Sequence, residues 1–112
     1  MDKTLADYSQ FAALDIRVGT IIRAEIFEKA RNPAYKLWID FGELGELKSS
    51  AQITELYSCE ALQRKQVIAV VNFPKKQIAD FMSECLVLGA VGNDGVTLLA
   101  TDINVENGIK IA

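Results

Sequence analysis

The sequence predicts an all-β protein: a five-stranded Greek-key barrel with a short N-terminal helix and a helical insertion between the third and fourth strands. Three observations lead there. Short runs rich in Val, Ile and aromatic residues recur along the chain with turn-formers between them. One stretch, Gln52–Arg64, abandons that alternation for helical spacing. The chain has 112 residues, half of them hydrophobic, which suffices for one closed core without metals or disulfides. It therefore reads as a single domain, 1–112, with a helix over 1–14 and the barrel plus a C-terminal strand over 15–112.

Leu5, Tyr8, Phe11, Ala12 and Leu14 are spaced for an amphipathic helix, with Thr4 or Asp2 as its cap. So short a helix is marginal alone and needs a surface, either its own barrel or a second copy. Asp15–Phe27 is the clearest strand. Ile16, Val18, Thr20, Ile22, Ala24 and Ile26 fall on one face; Arg17, Gly19, Ile21, Arg23 and Glu25 fall on the other. It is longer than most strands, so a bend or bulge is expected, with Gly19 its natural place. Glu28–Ala34 is a loop, with Asn32-Pro33 its turn signal. Tyr35, Leu37, Ile39 and Phe41 then alternate with Lys36, Trp38 and Asp40, and Gly42–Gly45 joins this second strand to a third around Leu47–Ala51. In Gln52–Arg64, Ile53, Leu56, Tyr57, Ala61 and Leu62 suggest one or two helical turns, with Ser58 as a cap. Gln66–Phe73 is the fourth strand and Glu84–Val91 the fifth. Gly92-Asn93-Asp94-Gly95 turns into Val96–Ala100, and Asn107-Gly108 precedes Ile109–Ile111.

The stretch Val67–Ala90 organises the rest. Two apolar runs flank a polar loop containing Asn72-Phe73-Pro74-Lys75-Lys76 and Ser83-Glu84. Polar and cationic residues on a loop between rigid strands are a common way to build a site, so Asn72, Lys75, Lys76 and Ser83 are the first candidates.

Composition excludes several chemistries. There is no histidine, and the two cysteines, Cys59 and Cys85, lack metal-ligand spacing, so neither a zinc cluster nor any other metal or cofactor is expected. Without an imidazole the usual general base near neutral pH is missing, and no nucleophile–base pair stands out, so the chain is not expected to be an enzyme. No apolar run nears the ~20 residues that cross a bilayer, and the first residues lack the pattern of a secretory signal, so the cytoplasm is the expected compartment. The net charge of −3 is unlike a protein that coats phosphates. Yet Lys29, Arg31, Lys36, Lys75 and Lys76 can gather on one face, with Asp40, Glu43, Glu46, Asp80, Asp94 and Asp102 elsewhere; the alternative is that all are ordinary solvated charges.

Several residues carry two readings. Arg17 beside Asp15 reads as a structural or interface ion pair. Trp38, on the polar face of the second strand, suits either base stacking or an interface. Phe73 and Phe81 bracket the loop, to pack it or to edge an apolar pocket. Cys85 reads as a small buried hydrophobe. Ser83-Glu84 either binds a ligand or simply starts the fifth strand.

Asp15-Ile16-Arg17-Val18-Gly19-Thr20-Ile21 resembles the D-I-R-V-G-x-I opening of the tRNA-binding OB-fold domains. These occur as appendages of bacterial methionyl- and phenylalanyl-tRNA synthetases, as freestanding dimeric tRNA-binding proteins, and in the export-related chaperone branch, the CsaA-like proteins. Asn32-Pro33-Ala34-Tyr35-Lys36-Leu37 is similar to the family's H-P-x-A-x-K-L. Ser49-Ser50-Ala51-Gln52-Ile53 is similar to the segment after its third strand. Asn72-Phe73-Pro74-Lys75-Lys76 and Ser83-Glu84-Cys85-Leu86 resemble its N-L/F-x-x-K/R and S-E/Q-x-M/L. The resemblance runs from about Phe11 to Ile111 and is strongest to the freestanding CsaA-like branch.

The resemblance implies a non-catalytic OB-fold module that grips the outside of the tRNA elbow by shape and backbone. Lys36, Ser50, Gln52, Asn72, Lys75, Lys76, Ser83 and Leu86 would line that surface. Lysines neutralise phosphates, Asn and Ser bond to sugar 2′-OH groups or base edges, and Leu86 seats a splayed base. It also implies a homodimer formed through Phe11, Leu14, Arg17, Val18 and Ile109. Two departures matter: the family's histidine is Asn32 here, and Glu84, if it faces the groove, repels phosphate. The alternative partners are unfolded polypeptides or preproteins, with Phe73 and Phe81 as pocket residues. The acidic balance favours that alternative; the loop from Asn72 to Ser83 favours tRNA, the shared ligand of the wider family.

Overall fold

The computed structural model describes residues 4–112. Their order is α1 (Tyr8–Ala12), β1 (Ile16–Ile26), β2 (Tyr35–Asp40), β3 (Glu46–Ala51), α2 (Cys59–Leu62), β4 (Gln66–Val70), β5 (Lys76–Ile78), β6 (Phe81–Ser83), β7 (Leu86–Val87), β8 (Gly89–Gly92) and β9 (Gly95–Leu98). The main sheet has the order β3-β2-β1-β4-β7, every pairing antiparallel. Three strands follow one another as a meander and the fourth returns beside the first, which is Greek-key order. The sheet nearly closes where residues 83–85 run along β3. The Glu84 and Cys85 amides donate to the Lys48 carbonyl at 2.7 and 3.2 Å, and the Ser49 hydroxyl donates to the Cys85 carbonyl at 2.8 Å. With α2 between β3 and β4, this is the expected all-β OB-fold barrel.

The core follows from alternation. In β2, Tyr35, Leu37 and Ile39 are buried while Lys36, Trp38 and Asp40 are not. They meet Ile21, Phe41, Val67 and Ala69 inside the barrel, and Leu62 of α2 plugs one end. Ser58 caps α2 as expected, its hydroxyl accepting from the Ala61 amide at 3.1 Å.

β1 departs from the simple two-face pattern. Its register against β2 shifts between Ile21 and Arg23, so the bulge lies at Ile22 rather than Gly19. The extra residue reverses which side faces in. The inward side passes from Gly19 and Ile21 before the bulge to Ala24 after it, all three buried, while Ile22 and Ile26 are 46% and 69% exposed. Gly19 stays in regular register opposite Val67. It is needed for space: a Cβ there would lie 2.7 Å from the Ile39 and Phe41 side chains.

Four further expectations are revised. The helix begins later and is capped by Asp7, whose amide donates to the Gln10 side chain at 2.8 Å; Thr4 is not its cap, and Asp2 lies outside the described residues. The loop after β4 contains a small hairpin, β5–β6, hidden from the pattern because its strands are three residues each. The single fifth strand is divided between β7 and β8, and β8 pairs with β9 in a separate hairpin. The C-terminal residues make an isolated bridge, Arg17 opposite Lys110, with Ile111 donating to the Ile16 carbonyl at 2.8 Å.

A second, smaller core ties two loops together. Phe27, Ala34 and Phe81 are buried against one another, with Ala30, Trp38 and Ile78 around them. This cluster joins the β1–β2 loop to the β5–β6 hairpin on the outside of the barrel. Lys29 and Asp80 add an exposed ion pair at 3.1 Å, which solvent screens strongly.

Candidate functional site

Three recesses adjoin along the closing edge of the barrel. One, of about 240 Å³, is walled by Phe73, Pro74, Cys85 and Leu86, with Lys76 and Glu84 at its polar side. A second, of about 290 Å³, shares Lys76 and adds Arg31, Asn32, Ser50, Gln52 and Gln77. A third, of about 410 Å³, is mostly apolar, and runs from Ser50 and Gln52 past Leu86 to Val91 and Val96. Lys76, Ser50, Gln52, Ser83 and Leu86 thus meet on one surface, although they come from β3, β5, β6 and β7 and the residues just after β3.

The remaining candidates are placed differently. Asn72 ties the N-terminal segment to the end of β4: its side-chain oxygen accepts from the Asp15 amide and its NH₂ donates to the Ala13 carbonyl, both at 2.8 Å. The Ser83 hydroxyl accepts from the Ser50 amide at 3.2 Å, at the barrel seam. Lys75 is 3.5 Å from the Glu84 carboxylate, which also accepts from the Lys48 amide at 2.9 Å. Glu84 does border the first recess, but with its charge met by Lys75 and a backbone donor. That leaves Lys76 as the cation of this loop without an ion pair among the described residues.

Lys36 belongs to the aromatic cluster, its ammonium 5.1 Å from the Phe27 ring centre and 5.4 Å from that of Phe81. Lys48 stands 5.2 Å from the Phe81 ring, and the Arg23 guanidinium 4.4 Å from the Trp38 ring. Trp38 and Phe81 meet edge to face at 5.6 Å. Such pairs prefer this tilt because ring edges are positive and faces negative. Arg23 and Lys48 escaped the sequence reading; the β2–β3 register, Trp38 opposite Lys48, is the signal that points to Lys48. Phe81 is 5% exposed, so it supports the loops from within, whereas Phe73, at 43%, borders the recess.

At the other end, Arg17 donates to Asp15 at 2.6 Å and to the Gly108 carbonyl at 3.0 Å. Val18 is fully buried within the chain, so its side chain is not free to meet a second copy. Phe11 and Ile109 are exposed and Leu14 half-buried. Among the described residues no group of side chains has metal-ligand geometry, and no helix is long and apolar enough to cross a membrane. Neither thiol is a ready nucleophile. Burial pushes Cys85 up to about 12, and Cys59 is raised by burial and by Glu60 beside it.

Fold and surface together define an OB-fold binding module. Residues 16–110 match the family described as "Putative tRNA binding domain", and the chain belongs to that family. It is 34% identical over 110 residues to a methionine–tRNA ligase of Methanothrix thermoacetophila, covering 98% of this chain and 16% of that protein. The chain thus spans about one-sixth of the curated relatives it matches. Among solved structures it resembles the chaperone CsaA from Bacillus anthracis at 50% identity and a TM-score of 0.92, covering 97% of this chain and 100% of that one. The CsaA chaperone from Picrophilus torridus is 53% identical, also with a TM-score of 0.92, covering 96% of this chain and 100% of that one.

Proposed function

We propose that this chain is a non-catalytic, homodimeric tRNA-binding protein that grips the outside of the tRNA elbow by shape and backbone contacts. The observation that carries the reading is the meeting of Lys76, Ser50, Gln52 and Leu86 on one continuous surface in a chain of the tRNA-binding family. The cation meets phosphate, the hydroxyl and amide reach sugars and base edges, and the apolar side chain takes a splayed base. Pairing of two copies through the exposed side chains of α1 doubles this surface.

The test is tRNA binding by fluorescence anisotropy across a salt series. Lys75→Ala with Lys76→Ala is expected to weaken binding and to flatten the plot of log affinity against log salt by about one unit for each phosphate no longer neutralised. Because Lys75 is held by Glu84, most of the change should come from Lys76→Ala alone. An unchanged slope removes the surface from consideration.

A second reading rests on the apolar wall of the first recess. Phe73 and Leu86, 43% and 47% exposed, beside Pro74 suit the side chains of an unfolded polypeptide, and the identity to two CsaA chaperones favours it. Phe73→Ser should then abolish suppression of aggregation of a denatured client while tRNA binding persists. A wild-type protein that suppresses nothing ends this reading.

A further inference from the structure

We propose that the recess between the β1–β2 loop and the β5–β6 hairpin is a pocket for one unpaired nucleotide of the bound RNA, with Arg31 and Lys76 on its phosphate and Asn32 and Gln52 on its base edge. The proposal rests on the tRNA-binding reading and adds to it the form of RNA recognised.

Four observations carry it. The first is composition: two cations and three amides surround about 290 Å³, and Ala30, Ala34 and Ile78 supply the apolar part of the wall. Phosphate, base edge and base face each find a matching neighbour there. The second is freedom. Asn72, Ser83 and Lys75 are engaged inside the chain. By contrast, Arg31, Asn32, Gln52 and Lys76 have no side-chain hydrogen bond or ion pair among the described residues, and all four are exposed. Gln77 keeps its carbonyl oxygen for a ligand, since its NH₂ donates to the Ala79 carbonyl at 3.0 Å.

The third is rigidity. The two walls are held by the Phe27–Phe81 contact at 5.5 Å and by Lys29–Asp80, so binding has to order the side chains but not the loops that carry them. The fourth is what the fold denies. An OB barrel commonly stacks bases on aromatic side chains of its second and third strands. Here the aromatic cluster on that side is closed: Trp38 meets Phe81 edge to face, and Arg23 lies over its ring. Base reading is left to hydrogen bonds in the recess beside it. A paired base has its Watson–Crick edge occupied and its neighbours stacked, so only an extruded nucleotide can enter.

The experiment compares two probes, total tRNA and a fully paired RNA duplex without loops, by anisotropy. Asn32→Ala is expected to weaken tRNA binding roughly tenfold with an unchanged salt slope, since the residue carries no charge, and to leave duplex binding as it was. Asn32→Asp, nearly isosteric and exposed, is the second variant. It sets a carboxylate near the phosphate and should weaken tRNA binding at least as far. Full tRNA affinity in both variants, with a wild type that binds tRNA in a salt-dependent way, overturns the pocket and leaves the proposed function standing. Equal losses on duplex and tRNA overturn it too, because the Asn32 amide would then touch helical RNA. A wild type that binds no tRNA removes both.

Discussion

Single residues here hold the structure more often than their polarity suggests. Asn72 resembles a ligand contact in sequence, yet both ends of its amide are bonded to residues 13 and 15. Ser83 and Glu84 likewise sit on the seam that closes the barrel. These backbone groups come from distant segments and would otherwise lack partners, a need that no local pattern records. Cys85 is the clearest physical case. Its thiol is buried and its pKa is pushed up to about 12, against about 8.5 for an ordinary cysteine. The folded chain therefore keeps a proton that the unfolded chain loses as pH rises past about 8.5. Stability from this site is complete below that pH and declines as pH climbs toward 12. Denaturant midpoints measured from pH 7 to 10.5 should fall at the alkaline end, and Cys85→Ala should reduce that fall. A midpoint equally pH-dependent in the variant assigns the effect to other groups. Iodoacetamide at pH 8 should leave Cys85 of the folded protein unmodified, because thiolate is the reactive form.

At the scale of elements, β1 decides the shape of the barrel. Its upper half pairs with β4 and its lower half with β2, and the bulge at Ile22 lets one strand serve both. Gly19 lies where β1 crosses closest to Ile39 and Phe41. Gly19→Ala should cost about 1–3 kcal/mol by overpacking, read as a lower urea midpoint with an unchanged m-value. If the variant is as stable as the wild type, the close packing around this crossing is not what selects glycine. The β5–β6 hairpin carries the other lesson. Three-residue strands leave almost no period to detect, and Phe81 inside the hairpin turns inward only because Phe27 and Ala34 wait for it. Lys36 and Lys48 then lie close to the rings they shield, each such contact contributing about 0.5–1 kcal/mol where exposed.

For the whole molecule, the distribution of exposed apolar side chains matters most. α1 has no buried residue; Leu5 and Tyr8 are 89% and 77% exposed and Phe11 42%. A five-residue helix does not persist in water on propensity alone, so a partner surface is the natural reason for its apolar side. Phe11→Glu is expected to shift the protein from dimer to monomer in sedimentation velocity. The variant should keep the barrel's circular dichroism, because Phe11 contributes nothing to the core. A wild type that sediments as a monomer at micromolar concentration would remove the homodimer from the proposed function. Tyr8 and Phe11 rings lie 6.3 Å apart, a ready pair for the same contact.

Local chemistry in the sequence determined the barrel, its hairpins and the capped turn at Ser58. Each depends on near neighbours: alternation, turn residues, a cap three positions away. The polar loop after the fourth strand marked Lys76 as a site candidate, and the resemblance to the tRNA-binding domains added Ser50, Gln52 and Leu86. Tertiary structure alone decided which of the marked polar groups are free. Asn72, Ser83 and Lys75 are drawn into bonds with segments far along the chain, while Arg31 and Asn32 are brought to the recess by the packing of two loops. Whether a polar side chain faces a ligand or a carbonyl depends on what closes around it, and closure is a property of the folded barrel.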